Sequence, residues 1–203
     1  MASENVSRKG AETISKIIRV GAEILLEEGF TSLTKRKIAA RLGISHGNVG
    51  YYFPTREALW RAVVDYELKE YYKNHHGTFD FKPGNAQANF DDFVGSWIDE
   101  YNDRIVRVFF SHIIAFGELN EFIGELRDEI YEMFFSQLMK LANDMDLGVE
   151  QSELEQRVLT VIVLLEGLHV VSAFRPELLD KDNKFNEVLV KQANDIIYGV
   201  HSE

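Results

Sequence analysis

Residues 34–53 read TKRKIAARLGISHGNVGYYF, and this stretch decides the fold. Its spacing predicts a short helix over Lys35–Leu42 with Ile38, Ala39 and Leu42 inward, preceded by threonines able to cap it. Gly43 stops that helix, because glycine takes a positive φ at no steric cost. Ser45 can cap a second helix of barely two turns, in which Val49, Tyr52 and Phe53 recur at i, i+3 and i+4 and must face the core. Two short helices joined by a tight turn need a small residue where the axes approach, a turn glycine and an apolar plug on the second helix. Ala39, Gly43 and Val49 supply these in order. The same spacing also serves a helical hairpin with no role on nucleic acid.

Upstream, Ile14, Ile17, Ile18, Gly21, Ala22, Leu25 and Leu26 form one apolar face of a helix that ends at Gly29, a C′ glycine. Downstream, Thr55 can cap a long helix from about Arg56 to Lys73, followed by a polar loop from about His75 to Gln87 that carries the adjacent His75 and His76 on its surface. Further helices are expected at about 88–102, 104–117, 121–145, 151–175 and 185–201, with Pro176 terminating the penultimate one. The chain has 203 residues, 45% of them hydrophobic, with three prolines and no cysteine. That excludes disorder, disulfides, cysteine zinc sites and thiol nucleophiles. Residues 1–16 lack the apolar core of a signal peptide and no window is long and apolar enough to span a bilayer, so the expectation is a cytoplasmic protein with no membrane partner. The fold class is all-α, with about nine helices.

Charge divides the chain. The formal net charge of −11 argues by itself against a polyanionic partner. Residues 1–60, however, hold nine Lys/Arg against six Glu, a net of +3, and residues 61–203 carry 13 against 27, a net of −14. A basic N-terminal module joined to an acidic body fits this asymmetry.

Residues 14–60 resemble the TetR family of transcriptional regulators. The resemblance rests on IIRVGAEILLEEGF at 17–30 and SLTKRKIAARLGISHGNVGYYFPTREALW at 32–60. Its marks are the Gly29-Phe30 corner, Thr34, Ile38-Ala39, Leu42-Gly43-Ile44-Ser45, Gly47, Tyr52-Phe53 and Arg56-Glu57. It implies a helix-turn-helix DNA-binding domain over 1–54 and an effector-binding and dimerisation domain over 55–203. It implies, too, a homodimeric repressor of a double-stranded DNA operator, released by a small, largely apolar effector, with no cofactor and no enzyme activity. In that role His46, Gly47 and Asn48 meet base edges first, since the N-terminal residues of a recognition helix lie nearest the bases. Thr34, Lys35, Arg36, Ser45, Tyr51, Tyr52 and Arg56 complete the DNA-facing set, largely through phosphates, and Lys37 adds to the same field. Two positions depart from the family pattern: Gly50 stands where an aromatic residue is common, and Lys37 replaces a carboxylate that would complete a capping box with Thr34.

In the acidic body, Leu154, Val158, Val161, Leu165 and Leu168 step by four and three, a seam suited to a partner helix, and Val188, Gln192 and Ile196 lie on a stripe of the last helix. These are the expected dimer contacts, although the same spacing serves packing within one chain. Eleven aromatic residues fall between 90 and 135. Trp97, His112, Phe116, Tyr131, Phe135, Glu166 and His169 are the candidate pocket, because large rings and polar groups in apolar helices need partners. Glu166 and His169 also form an E-x-x-H half-motif, but no second copy exists to complete a di-iron site. Two alternatives remain: a helical partner-binding module with weak DNA affinity, and a metal-binding enzyme using Glu166 and His169.

Overall fold

The computed structural model describes residues 8–76, 83–179 and 184–200. Among them every regular element is helical: α1 (Arg8–Glu28), α2 (Lys35–Leu42), α3 (His46–Tyr52), α4 (Arg56–Tyr71), α5 (Ala86–Glu100), α6 (Arg104–Gly117), α7 (Glu121–Asp144), α8 (Gln151–Ser172) and α9 (Phe185–Tyr198). A π-helical turn at Tyr72–His76 extends α4, and a 3-10 turn at Pro176–Leu179 follows α8. Thus α8 ends at Ser172, short of Pro176, which opens that turn. Part of the 75–87 loop, and the side chains of His75 and His76, lie outside the described residues. No described helix is long and apolar enough to cross a membrane.

The chain forms two compact units, residues 1–74 with 108–127 and residues 75–107 with 128–203. This contact division is not the expected one at 54/55, because α4 packs against α1 and parts of α6 and α7 fall in the same unit.

In the first unit the local chemistry sets each boundary. Thr34 Oγ1 accepts the Lys37 N–H at 3.2 Å, Ser45 Oγ accepts the Asn48 N–H at 3.2 Å, and Thr55 Oγ1 accepts the Ala58 N–H at 3.0 Å. Each cap satisfies one of the donors that a helix start leaves open and contributes about 1 kcal/mol. Gly43, at φ 65°, closes α2: its N–H reaches the Ala40 carbonyl and the Ile44 N–H reaches Ala39. The core gathers Ile17, Ile24 and Leu25 of α1, Ile38 of α2, Val49 of α3, and Leu59, Trp60 and Val63 of α4, all essentially inaccessible. Gly21 marks a close approach of α1 to α4. A Cβ there would stand 2.6 Å from Val63 Cγ2. Trp60 Nε1 donates to the Leu33 carbonyl at 3.0 Å, and its ring meets Phe30 and Phe116 edge-on.

In the second unit α5, α8 and α9 pack on one another. Phe90, Phe93, Val94 and Ile98 of α5 and Leu189, Ala193 and Ile197 of α9 are buried. So are Leu154, Val158, Val161, Leu165 and Leu168 of α8. Polar side chains join α5 to α9: Gln87 Nε2 donates to Asn194 Oδ1 at 2.5 Å, and Asn194 Nδ2 to Asp91 Oδ1 at 2.7 Å.

Candidate functional site

Two side-chain assemblies stand out, one in each unit. The first is the turn between α2 and α3. Burial of Val49 and Phe53 fixes the inner face of α3. The opposite face then has to be exposed, and His46, Gly47, Asn48 and Tyr51 are all on it, Tyr51 at 79%. Tyr52 is half-buried, its ring edge-on to Tyr51 at 5.0 Å. Lys35 Nζ donates to the Pro54 carbonyl and so ties the start of α2 to the chain leaving α3. The Arg56 guanidinium lies 4.6 Å from the centre of the Trp60 ring, and Arg36 is exposed.

The remaining basic residues of α2 hold it to α1. Arg41 Nη2 donates to Glu27 at 2.6 Å and Glu28 at 2.9 Å, and Lys37 Nζ pairs with Glu28, whose carboxyl Lys37 holds below the usual carboxylate range. This accounts for lysine at 37, where a capping box would have a carboxylate. Its charge is matched across the helix pair by Glu28. At Gly50 no atom lies within 4 Å of where a Cβ would be, so nothing inside the subunit requires glycine there.

The second assembly surrounds Glu166 on α8. Tyr101 donates its hydroxyl to Glu166 Oε1 at 3.4 Å, and Tyr131 donates to Oε2 at 3.2 Å. Trp97 Nε1 in turn donates to the Tyr101 oxygen at 3.2 Å. His169 lies ring to ring with Tyr101 at 5.3 Å, and Phe134 with Trp97 at 5.1 Å. Burial raises the Glu166 pKa, with the two hydroxyls pulling the other way. Burial and the adjacent Glu166 charge push the Tyr101 phenol well up, so it stays a donor. His169 is lowered by burial and then by the Arg107 charge, which favours neutral imidazole.

Residues 17–63, from α1 into α4, match the model for bacterial regulatory proteins of the TetR family. That segment is similar to the N-terminal domain of the TetR family. The likenesses to solved structures concern the fold and extend over nearly the whole chain. A putative transcriptional regulator from Pseudomonas aeruginosa PAO1 is similar with a TM-score of 0.73 at 18% identity, over 94% of this chain and 90% of that one. A putative transcriptional regulator from Saccharomonospora viridis in complex with choline gives 0.63 at 16%, over 92% and 96%. The regulator FadR from Bacillus subtilis in complex with stearoyl-CoA gives 0.65 at 13%, over 92% and 99%. No functionally curated protein matches the chain.

The chain brings together four of the seven residues expected to line a pocket, Trp97, Tyr131, Glu166 and His169. His112 and Phe116 belong instead to the first unit. Phe116 stacks on Phe30 at 5.2 Å, and His112 sits against Gly29 and hydrogen-bonds the Leu26 backbone, with burial lowering its pKa. Phe135 is half-buried on α7. Tyr101, the residue that joins Trp97 to the carboxylate, was not among those expected. Its signal was there, a tyrosine four residues after a buried tryptophan on one helix. The α8 seam needs correction. Leu154, Val158, Val161, Leu165 and Leu168 are buried within the subunit itself and present nothing to a partner. Of the α9 positions, Val188 and Gln192 are exposed and Ile196 is half-buried. Among the described residues no three His, Asp or Glu side chains group as a metal site requires.

Proposed function

We propose that the chain is a homodimeric repressor that binds a double-stranded DNA operator and is released from it by a small molecule. The observation that carries the reading is the capped, outward-facing α3, with His46, Gly47 and Asn48 at its start. Asn48 suits bidentate pairing with adenine and His46 donation to guanine N7, while Gly47 lets the backbone approach the bases. Thr34, Lys35, Arg36, Ser45, Tyr51, Tyr52 and Arg56 flank that start and serve the phosphates and the register. In domain terms, residues 1–54 carry the DNA contacts and residues 55–203 the effector and dimer contacts.

The dimer face we assign is the outer side of α8. Leu159, Val163, Val170 and Phe174 line it, Val163 at 71% and Phe174 at 66% exposure, and Val188 and Val200 extend it along α9. A stripe of that size on a monomer marks an interface, and two helices from each chain close it as a four-helix contact. The complexes with choline and with stearoyl-CoA support a small-molecule response. Those two ligands differ so far in chemistry that the fold does not name the effector of this chain.

The test is a salt titration of the purified protein on duplexes flanking its own gene, with scrambled duplexes as controls. The reading expects sequence-dependent binding with a negative log–log salt slope. No binding even at low salt would overturn it in favour of a partner-binding module. Effector and operator must also weaken each other reciprocally, and independent binding would exclude the switch.

A further inference from the structure

Glu166 is a carboxylate set among rings without a cation. Its hydrogen-bond partners are the neutral hydroxyls of Tyr101 and Tyr131, and among the described residues no lysine or arginine pairs with it. The nearby Arg107 directs its guanidinium to the Tyr101 backbone carbonyl. An ionised carboxylate drawn out of water without a counter-charge is destabilising, and glutamine or an apolar residue would make a quieter core. The arrangement is also directional. Tyr101, Trp97 and His169 are buried, whereas Glu166 and Tyr131 keep part of their surface exposed. Each carboxylate oxygen accepts one hydroxyl and retains further acceptor capacity. Aromatic faces nearby attract positive charge through their quadrupoles, which adds to the pull of the carboxylate.

We infer that Glu166, with Tyr101 and Tyr131 holding its two oxygens, is the counter-ion of an organic ammonium ligand. The cation docks on the exposed side of the carboxylate, and its apolar substituents lie against the Tyr131 ring. An anionic ligand is repelled there, and a neutral one leaves the charge uncompensated. This deepens the effector reading and rests on it for the consequence on DNA, but the binding event can be measured alone.

The experiment is calorimetry on the full-length protein with two matched series, hexylammonium, 1-hexanol and hexanoate, and benzylammonium, benzyl alcohol and benzoate. The expected result is that at least one cation binds tenfold or more tightly than its matched alcohol, with the carboxylates weakest. Glu166→Gln should abolish that preference, and Glu187→Gln on α9 should leave it intact. Wild-type protein that binds cations no better than the alcohols, or a preference that survives Glu166→Gln, overturns the inference. The first outcome needs no variant to fold. A cation that binds through Glu166 yet leaves operator affinity unchanged upholds the cation site and removes the repressor-release reading.

Discussion

Two glycines inside helices of the first unit should respond in opposite directions to the same change. Replacing a helical glycine by alanine stabilises by about 1 kcal/mol where nothing else intervenes. At Gly50 no atom lies within 4 Å of the new Cβ, so Gly50→Ala should gain about 0.5–1 kcal/mol, reduced by its place near a helix end. At Gly21 the new Cβ meets Val63 Cγ2 at 2.6 Å, with Leu33 Cδ1 at 3.4 Å and Ile38 Cδ1 at 3.6 Å. Valine is stiff at χ1 in a helix and Val63 is fully enclosed, so the contact is relieved only by moving α1 against α4. Overpacking of that kind costs about 1–3 kcal/mol, which leaves Gly21→Ala destabilised by about 1 kcal/mol after the propensity gain. Thermal melts followed by circular dichroism should show Gly50→Ala above wild type and Gly21→Ala below it, by about 2–4 °C per kcal/mol. Val63→Ala should reverse the sign of the second effect, so that Gly21→Ala stabilises in that background. A Gly21→Ala protein as stable as wild type, or an effect unchanged by Val63→Ala, would refute the close approach of α1 to α4.

Burial, reinforced by Glu70, pushes Glu67 on the inner face of α4 up to about 7. Its proton is therefore held more tightly in the folded chain, and the associated stability is full below about 4.5 and lost as pH rises through about 7. Glu67→Gln should melt above wild type at pH 8, and a gap equally wide at pH 4.5 would count against this assignment. Arg36→Ala should weaken operator and scrambled duplex alike and flatten the salt slope of the dimer by about two units, one per subunit, whereas Asn48→Ala should narrow the gap between the two duplexes about tenfold or more. Equal behaviour of the two variants would show that α3 is not the base-reading helix. Val163→Glu should give monomers in sedimentation experiments at concentrations where wild type is dimeric, and persisting dimers would move the interface off α8.

The helix-turn-helix was legible because its signals are local. Thr34, Ser45 and Thr55 cap at the positions their spacing indicates, and Gly29 and Gly43 adopt the positive φ expected of helix ends. The face of α8 was not legible for a physical reason. A four-three repeat states that one side of a helix is apolar, not whether its partner is the same chain or another, and α8 is apolar on two sides. Leu154, Val158 and Leu165 face inward while Leu159, Val163 and Val170 face out. The pocket divides in the same way. Trp97, Phe116 and Tyr131 look alike as aromatics in apolar helices, yet Phe116 stacks on Phe30 while the other two belong to the hydroxyl cluster at Glu166. The pairings that decide this span 35 and 65 residues at Glu166, which periodicity within one helix does not register.

The basic balance of residues 1–60 overstates the charge that DNA can meet. Lys37 and Arg41 are matched by Glu27 and Glu28 on α1, so of the α2 and α4 cations only Lys35, Arg36 and Arg56 stand in the DNA-facing set. Three cations per subunit neutralise about six phosphates in a dimer, and at about 0.9 per phosphate the log–log salt slope should be no steeper than about −5 to −6. A single subunit would have half of that and bind weakly, so with the proposed dimer face on α8, loss of that face should weaken DNA binding. Measured slopes for wild type and Val163→Glu should therefore differ about twofold. A wild-type slope steeper than about −7 would mean that Lys37 and Arg41 leave their glutamates on DNA, and that α2 is re-seated on α1 when the operator is bound.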